Sequence, residues 1–450
     1  MAPRRPDKKS KKRGKEAISR AAAAAAAAGG PSSSSSDKPA LSPLILVRAA
    51  EHRLQEGDAP GAEALAGSAL EQAQAGGNGD KDDGALAALN LLGQVNLELG
   101  DLEAARACFL RAVGADPDGA RDEAVGGGAE KFLCLAQLSE EGGRDSVRWF
   151  ERGAAALRAR IRVLEGEEAG KGTSTTPHSR RGTAAGGGKD NDAEEMVGQQ
   201  QLSELGELKR KLAMTLCSVA EVYMTDLSWE SDAEARCEAL VTEATLVAPD
   251  YAETWQTLAD VRISQQRPDD ARAALARSLD LWRGLPPEDP LVPAFPSRVG
   301  LARLLMEVGL ERDAIEVLER LVAEDDHSVE TWYLGGWGLF VLGEKQREKE
   351  AEGKNGGNKA SAESGGRKGE EQVDEGEEED WKTSWISSRV WLNQCLHLYK
   401  LHDYEDEPLG EHAQELLAEI AKELGEAPVG EEDDEDGSED AGDSDEEMQE

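Results

Sequence analysis

One short pattern of apolar and polar positions recurs along the chain. From Leu86, the residues Leu89, Leu92, Gly93 and Asn96 follow at steps of three and four; Gly100-Asp101 interrupts, and Ala105, Phe109 and Ala112 resume the spacing before Pro117. Such steps put side chains on one face of an α-helix, whereas a strand would alternate with a period of two. The Gly-Asp break is long enough only for a turn, so the window predicts two antiparallel helices packed face to face. Small Gly93 and Ala105 allow close approach and Phe109 fills the space between the helices. Pro117, which has no backbone N–H, ends the second one.

The template starts again at Ala252 (Trp255, Leu258, Ala259, Ala271, Leu275, Ser278), at Phe295 (Leu301, Ala302, Leu305, Ala314, Leu318, Leu321) and at Val329 (Trp332, Gly336). Weaker copies begin near Pro43 (Leu46, Ala50, Ala62, Ala66, Ala69) and Gly127 (Leu133, Cys134, Ser146, Phe150, Gly153). Another spans residues 205–249, with Val222, Cys237, Val241 and Ala244. Starts at 43, 86, 127, 218, 252, 295 and 329 predict about seven helix pairs, and two of the intervals are 34 residues. No β-rich segment competes.

Eight matching offsets in the Leu86 window and the 34-residue intervals resemble the tetratricopeptide repeat family, over about residues 41–425. The resemblance implies an all-α, right-handed superhelical solenoid, in which each pair buries its apolar face only against its neighbours. It also implies a protein-binding groove lined by the first helix of each pair.

Composition divides the chain further. Residues 1–40 read as a disordered basic tail, and residues 426–450 as a disordered acidic one. Two stretches, about 166–199 and 345–380, are rich in Gly and charge and read as disordered inserts, because they cannot bury enough apolar surface to offset the entropy of ordering. The second insert delays the partner of the Val329 helix, so Trp385–Leu401 is expected to complete that pair and Glu411–Leu424 to cap the array.

Charge narrows the choice of partner. The chain carries 51 Lys and Arg against 91 Asp and Glu, a formal net charge of -40. The first 20 residues hold nine bases and two acids, and the last 25 hold fourteen acids and no base, which leaves -33 on the rest. A body of that sign repels phosphate, so direct nucleic-acid binding is not expected and a basic protein is the natural ligand. The cluster Arg4, Arg5, Lys8, Lys9, Lys11, Lys12, Arg13 and Lys15 fits a nuclear localisation signal. The alanine run that follows is too weakly apolar for a signal peptide, and no run approaches the ~20 apolar residues of a membrane helix. A cytoplasmic and nuclear location is expected. Cys108, Cys134, Cys217, Cys237 and Cys395 lie apart inside apolar patterns and read as reduced thiols.

Catalytic motifs fail one by one. Around Gly170-Lys171, Glu165 and Gly172 stand where a phosphate loop needs glycine and a hydroxyl. His397 and His402 are five apart, off one helix face, and no nucleophile elbow occurs. No enzyme activity, cofactor or metal is expected.

By the family's geometry, the groove positions are Asn90, Gln94, Leu97, Lys131, Leu135, Glu253, Gln256, Asp260, Glu330, Tyr333, Trp337 and Phe340, with Glu98, Glu221 and Glu307 beside them. Tyr333, Trp337 and Phe340 share a helix face and fit either inter-repeat core or an anchor for Arg and Lys side chains. The basic cluster, the repeats, the insert before the last pair and the acidic tail together resemble the fungal family of dedicated assembly chaperones of large-subunit ribosomal protein L-four. That resemblance implies a monomeric chaperone that holds one copy of the nascent basic ribosomal protein in an acidic groove and escorts it to the nucleus. The competing reading is a scaffold or co-chaperone adaptor, whose carboxylate clamp would use Asn90 and Lys131.

Overall fold

The computed structural model describes residues 42–79, 82–172, 190–360 and 380–425. Among them are fifteen α-helices and no strand, and they fall into two compact units divided after Pro293.

Unit 1 holds five helix pairs: α1 (Pro43–Gln55) with α2 (Ala59–Ala73), α3 (Asp83–Glu98) with α4 (Leu102–Ala115), α5 (Glu130–Gln137) with α6 (Gly143–Gly172), α7 (Asp190–Met224) with α8 (Ala233–Val247), and α9 (Ala252–Ser264) with α10 (Pro268–Asp280). Unit 2 holds α11 (Phe295–Glu307) with α12 (Glu311–Glu324), α13 (Val329–Ala360) with α14 (Trp381–Leu401), and the capping helix α15 (Glu407–Leu424). Within each unit every pair packs on the next, which is the all-α solenoid organisation that the repeats predict.

The starts and stops are written in local chemistry. Asp58, Asp82, Asp101, Asp380 and Asp406 cap α2, α3, α4, α14 and α15 by accepting hydrogen bonds from backbone N–H groups of the first turn. Proline stands in the first turn of α1, α2, α10, α11 and α15, where its missing N–H costs nothing. Gly100 takes a left-handed φ of 78° after α3, letting the chain reverse into α4.

Close packing then depends on the small residues. A Cβ on Gly93 would lie 2.5 Å from the Phe109 ring, so α3 and α4 touch only because that position is bare. On α13, a Cβ at Gly335 would meet the Trp391 indole at 2.1 Å, which lets α14 lie against the helix backbone. Leu86, Leu89, Ala105, Phe109 and Ala112 are fully buried in unit 1, and Phe340, Trp385, Leu392 and Ile420 form the core between α13, α14 and α15.

The structure differs from the sequence reading in two places. The repeat copy begun at 218 lies inside α7, a 35-residue helix whose start is at Asp190. Helix also runs into both expected inserts, with α6 reaching Gly172, α7 beginning at Asp190 and α13 continuing to Ala360. Lys, Glu and Ala favour helix intrinsically, and α13 gains anchors as Lys345 pairs with Glu311 and Arg347 with Glu423. The remainder of the inserts and the two charged tails lie outside the described residues.

Candidate protein-binding face

First helices of successive pairs lie side by side, α1 on α3 and α7 on α9 in unit 1, α11 on α13 in unit 2. The solvent-facing stripes of the two helices adjoin at each of these junctions.

On α7 the stripe reads Lys211, Met214, Ser218 and Glu221, at helical steps of three and four. Glu253, Thr257 and Asp260 form the matching stripe of α9. Met214 is exposed even though the residues on either side of it are buried. Lys211 donates to Glu130 and so ties α7 to α5 across the face. From α3, Gln94 and Glu98 are exposed and Leu97 is half-buried.

Glu221 and Asp260 act on each other electrostatically, and Glu221 and Glu253 both act on Cys217. The tip of Glu221 reaches solvent, but the protein around it removes water and raises its carboxyl above the ordinary value, and the Asp260 carboxylate pushes it further up. Burial likewise raises Glu253; Tyr251, by hydrogen bonding, and Arg210, by charge, oppose this. Burial pushes the Cys217 thiol up to about 12, with Glu221 and Glu253 adding to the effect. A cationic group arriving here would relieve the repulsion between Glu221 and Asp260.

Unit 2 offers a smaller and different surface. Arg303 on α11 pairs with Glu330 on α13 at 2.5 Å, so Glu330 is already matched. The Tyr333 hydroxyl lies 2.7 Å from His412 Nδ1, and Trp337 meets the His412 ring edge-on at 5.6 Å. Trp337 keeps about a third of its surface exposed and Tyr333 is half-buried. Glu307 is exposed on α11.

Several expected groove residues are elsewhere. Phe340 is buried and stacks flat on Trp385, 4.9 Å between centroids. Leu135 is core. Gln256 is buried, with Nε2 3.4 Å from Ser278 Oγ, and Ser278 in turn donates to the Ala252 carbonyl. The polar side chain therefore satisfies partners inside the α9–α10 pair instead of facing out. Lys131 is sealed in an ion pair with Asp116. Asn90 donates to the carbonyls of Leu86 and Gly126 and fastens the loop before α5. Lys131 and Asn90 are thus both engaged internally, and neither is presented for the carboxylate clamp of the adaptor reading.

Sequence reasoning missed Glu130, Lys211 and Met214. The steps of three and four that join Lys211, Met214 and Glu221 on α7 were the signal, obscured by the misplaced start at 218.

The tetratricopeptide repeat family matches residues 42–118. The chain is 43% identical over 388 residues to the probable assembly chaperone of rpl4 of Emericella nidulans, covering 85% of this chain and 82% of that one. The probable assembly chaperone of rpl4 of Schizosaccharomyces pombe is 30% identical over 356 residues, 79% of this chain and 85% of its own. The chain belongs to this family of assembly chaperones. A solved structure of residues 1–338 of the Assembly Chaperone of RpL4, Acl4, is 52% identical, with a TM-score of 0.59, and covers 69% of this chain and all of its own. Among the described residues no helix is long and apolar enough to cross a membrane.

Proposed function

We propose that the chain is a dedicated, non-enzymatic chaperone that binds newly made ribosomal protein L4 on the acidic first-helix face of unit 1. The face shields the basic client from RNA and from aggregation, and the complex is one to one. The observation that carries this reading is the set Glu221, Glu253 and Asp260 on the packed helices α7 and α9, where burial raises Glu221 and Glu253 and the Asp260 carboxylate raises Glu221 further. Lys and Arg side chains offset that crowding, and the -33 body adds long-range attraction. Exposed Met214 and half-buried Leu97 give apolar contact beside the charges. On unit 2, taken by itself, Tyr333 and exposed Trp337 offer aromatic faces to a cation, worth on the order of 0.5–2 kcal/mol.

The family names support the identity of the client, and the basic cluster at residues 4–15 supports escort from cytoplasm to nucleus. The reading is tested by capturing the tagged chain during translation and identifying co-purified proteins by mass spectrometry. Ribosomal protein L4 is expected as the dominant partner, lost as salt is raised. Capture without any basic ribosomal protein, or capture insensitive to salt, would overturn it.

A further inference from the structure

Among the described residues of unit 2, one stripe of α14 faces solvent. Of the fourteen large apolar side chains exposed across the described residues, Ile386, Val390, Leu401 and Tyr404 fall within one short stretch. Exposed Asn393 and His397 fill the intervening steps, so Ile386, Val390, Asn393, His397 and Leu401 run along one helix face at spacings of three and four. The other side of α14 is committed, with Trp385, Leu392, Cys395 and Leu398 buried in the core of unit 2. Single exposed apolar residues are ordinary, but a row of them on one face marks a contact surface.

Charge points to a second copy of this chain as the occupant. The chain carries a net charge of -40, yet α14, with Lys382, Arg389 and Lys400, is alone among the fifteen described α-helices in having no acidic residue. Two copies therefore meet least repulsion there. Directly after α14 come Asp403, Glu405 and Asp406, so the stripe is basic at its start and acidic just beyond its end. Antiparallel pairing about a two-fold axis between positions 393 and 394 sets Ile386 of one copy opposite Leu401 of the other, and Val390 opposite His397. The same operation brings Lys382 to the Glu405 end of its counterpart. A two-fold interface has to be complementary to itself, and this stripe meets that condition in both apolar and charged positions.

We propose that two copies of the chain associate through the α14 stripe as a weak, antiparallel, two-fold dimer. At ~1.5 Å per residue the seam from Ile386 to Leu401 is about 24 Å long, and one helix is ~10 Å wide. The contact covers on the order of a few hundred Å2 per copy, short of the ~800 Å2 per partner of a standard stable interface. The dimer is therefore transient, with a Kd of roughly 10–100 μM, and forms where the chaperone is concentrated. It leaves the ratio of client to chaperone at one to one. The inference draws on unit 2 alone and is independent of the acidic residues of α7 and α9.

The test follows the full chain by sedimentation velocity from about 1 to 200 μM at about 150 mM salt, which screens the repulsion between the two copies. The weight-average mass should rise from one chain toward two. Ile386→Glu with Val390→Glu in one chain changes only exposed positions, so circular dichroism should show the helices intact, and association should fall by at least about 10-fold. Lys382→Glu alone should weaken association roughly 3- to 10-fold, and adding Glu405→Lys to it should return most of the loss. A full chain that stays single at the highest concentration, as an occupant from the same chain would produce, overturns the proposal. So does a folded Ile386→Glu, Val390→Glu variant that dimerises as the original chain does. A Lys382→Glu defect that Glu405→Lys fails to rescue overturns the antiparallel arrangement and with it the proposal.

Discussion

Lys131 and Asp116 form an ion pair sealed inside unit 1, with Nζ 2.8 Å from Oδ2 and the two side chains 0% and 4% exposed. Burial pushes the Lys131 ammonium below its ordinary pKa, and the hydrogen bond from Lys131 to Asp116 opposes that shift. Lys131 also donates to the Gly128 carbonyl, and Asp116 Oδ1 accepts from the Ala120 N–H. The pair thereby fixes the link between α4 and α5. Changing one partner leaves a buried charge without its complement, so Lys131→Met or Asp116→Asn alone should cost about 3–5 kcal/mol in urea unfolding. Changing both to apolar residues should recover much of the loss. Neutral single variants would mean that the pair is not sealed.

Gly93 and Phe109 constrain each other sterically. With the Phe109 ring 2.5 Å from where a Cβ would sit, Gly93→Ala should lower stability by about 1–3 kcal/mol despite alanine's better helix propensity. Adding Phe109→Leu should return part of that loss, because the smaller side chain leaves room. The comparison of the two melting curves decides it.

Phe340 and Trp337 lie three residues apart and should behave differently. Phe340, stacked on Trp385 in the core, should cost about 3–5 kcal/mol on change to Ala. Trp337→Ala should cost under about 1 kcal/mol, since Trp337 keeps an exposed edge, yet should weaken client binding several-fold. Unfolding and binding measured on both variants separate core from contact surface.

The acidic face also predicts a dependence on pH. Dehydration first, and Asp260 second, raise Glu221 above its ordinary 4.5, so the folded state holds that proton more tightly than the unfolded one. Ionised Glu221 therefore destabilises the free protein once the pH exceeds its folded pKa, and the penalty is absent below 4.5. Glu221→Gln should raise the melting temperature at neutral pH, with the gain fading as the pH falls toward 4.5. An equal gain at both pH values would point to another cause.

Much of the fold was legible because the apolar spacing is local. Pro43, Ala252, Phe295 and Val329 begin helices as the repeat copies require, and α14 completes the interrupted pair. The site was only partly legible, because residue type does not report which way a polar side chain is satisfied. Lys131 is matched by Asp116, fifteen residues earlier in a loop, and Gln256 by Ser278 on the neighbouring helix. Asp260 on α9 does act on Glu221 of α7, since these two first helices pack together in the way the repeat geometry implies.

The central claim is that these three carboxylates hold the basic client. Glu221→Lys, Glu253→Lys and Asp260→Lys, combined in one full-length chain, should weaken binding of purified ribosomal protein L4 by roughly 10- to 100-fold at low salt, taking exposed ion pairs at up to about 1 kcal/mol each. Circular dichroism should show the helices intact. A folded triple variant that binds L4 as tightly as the original chain would contradict the account.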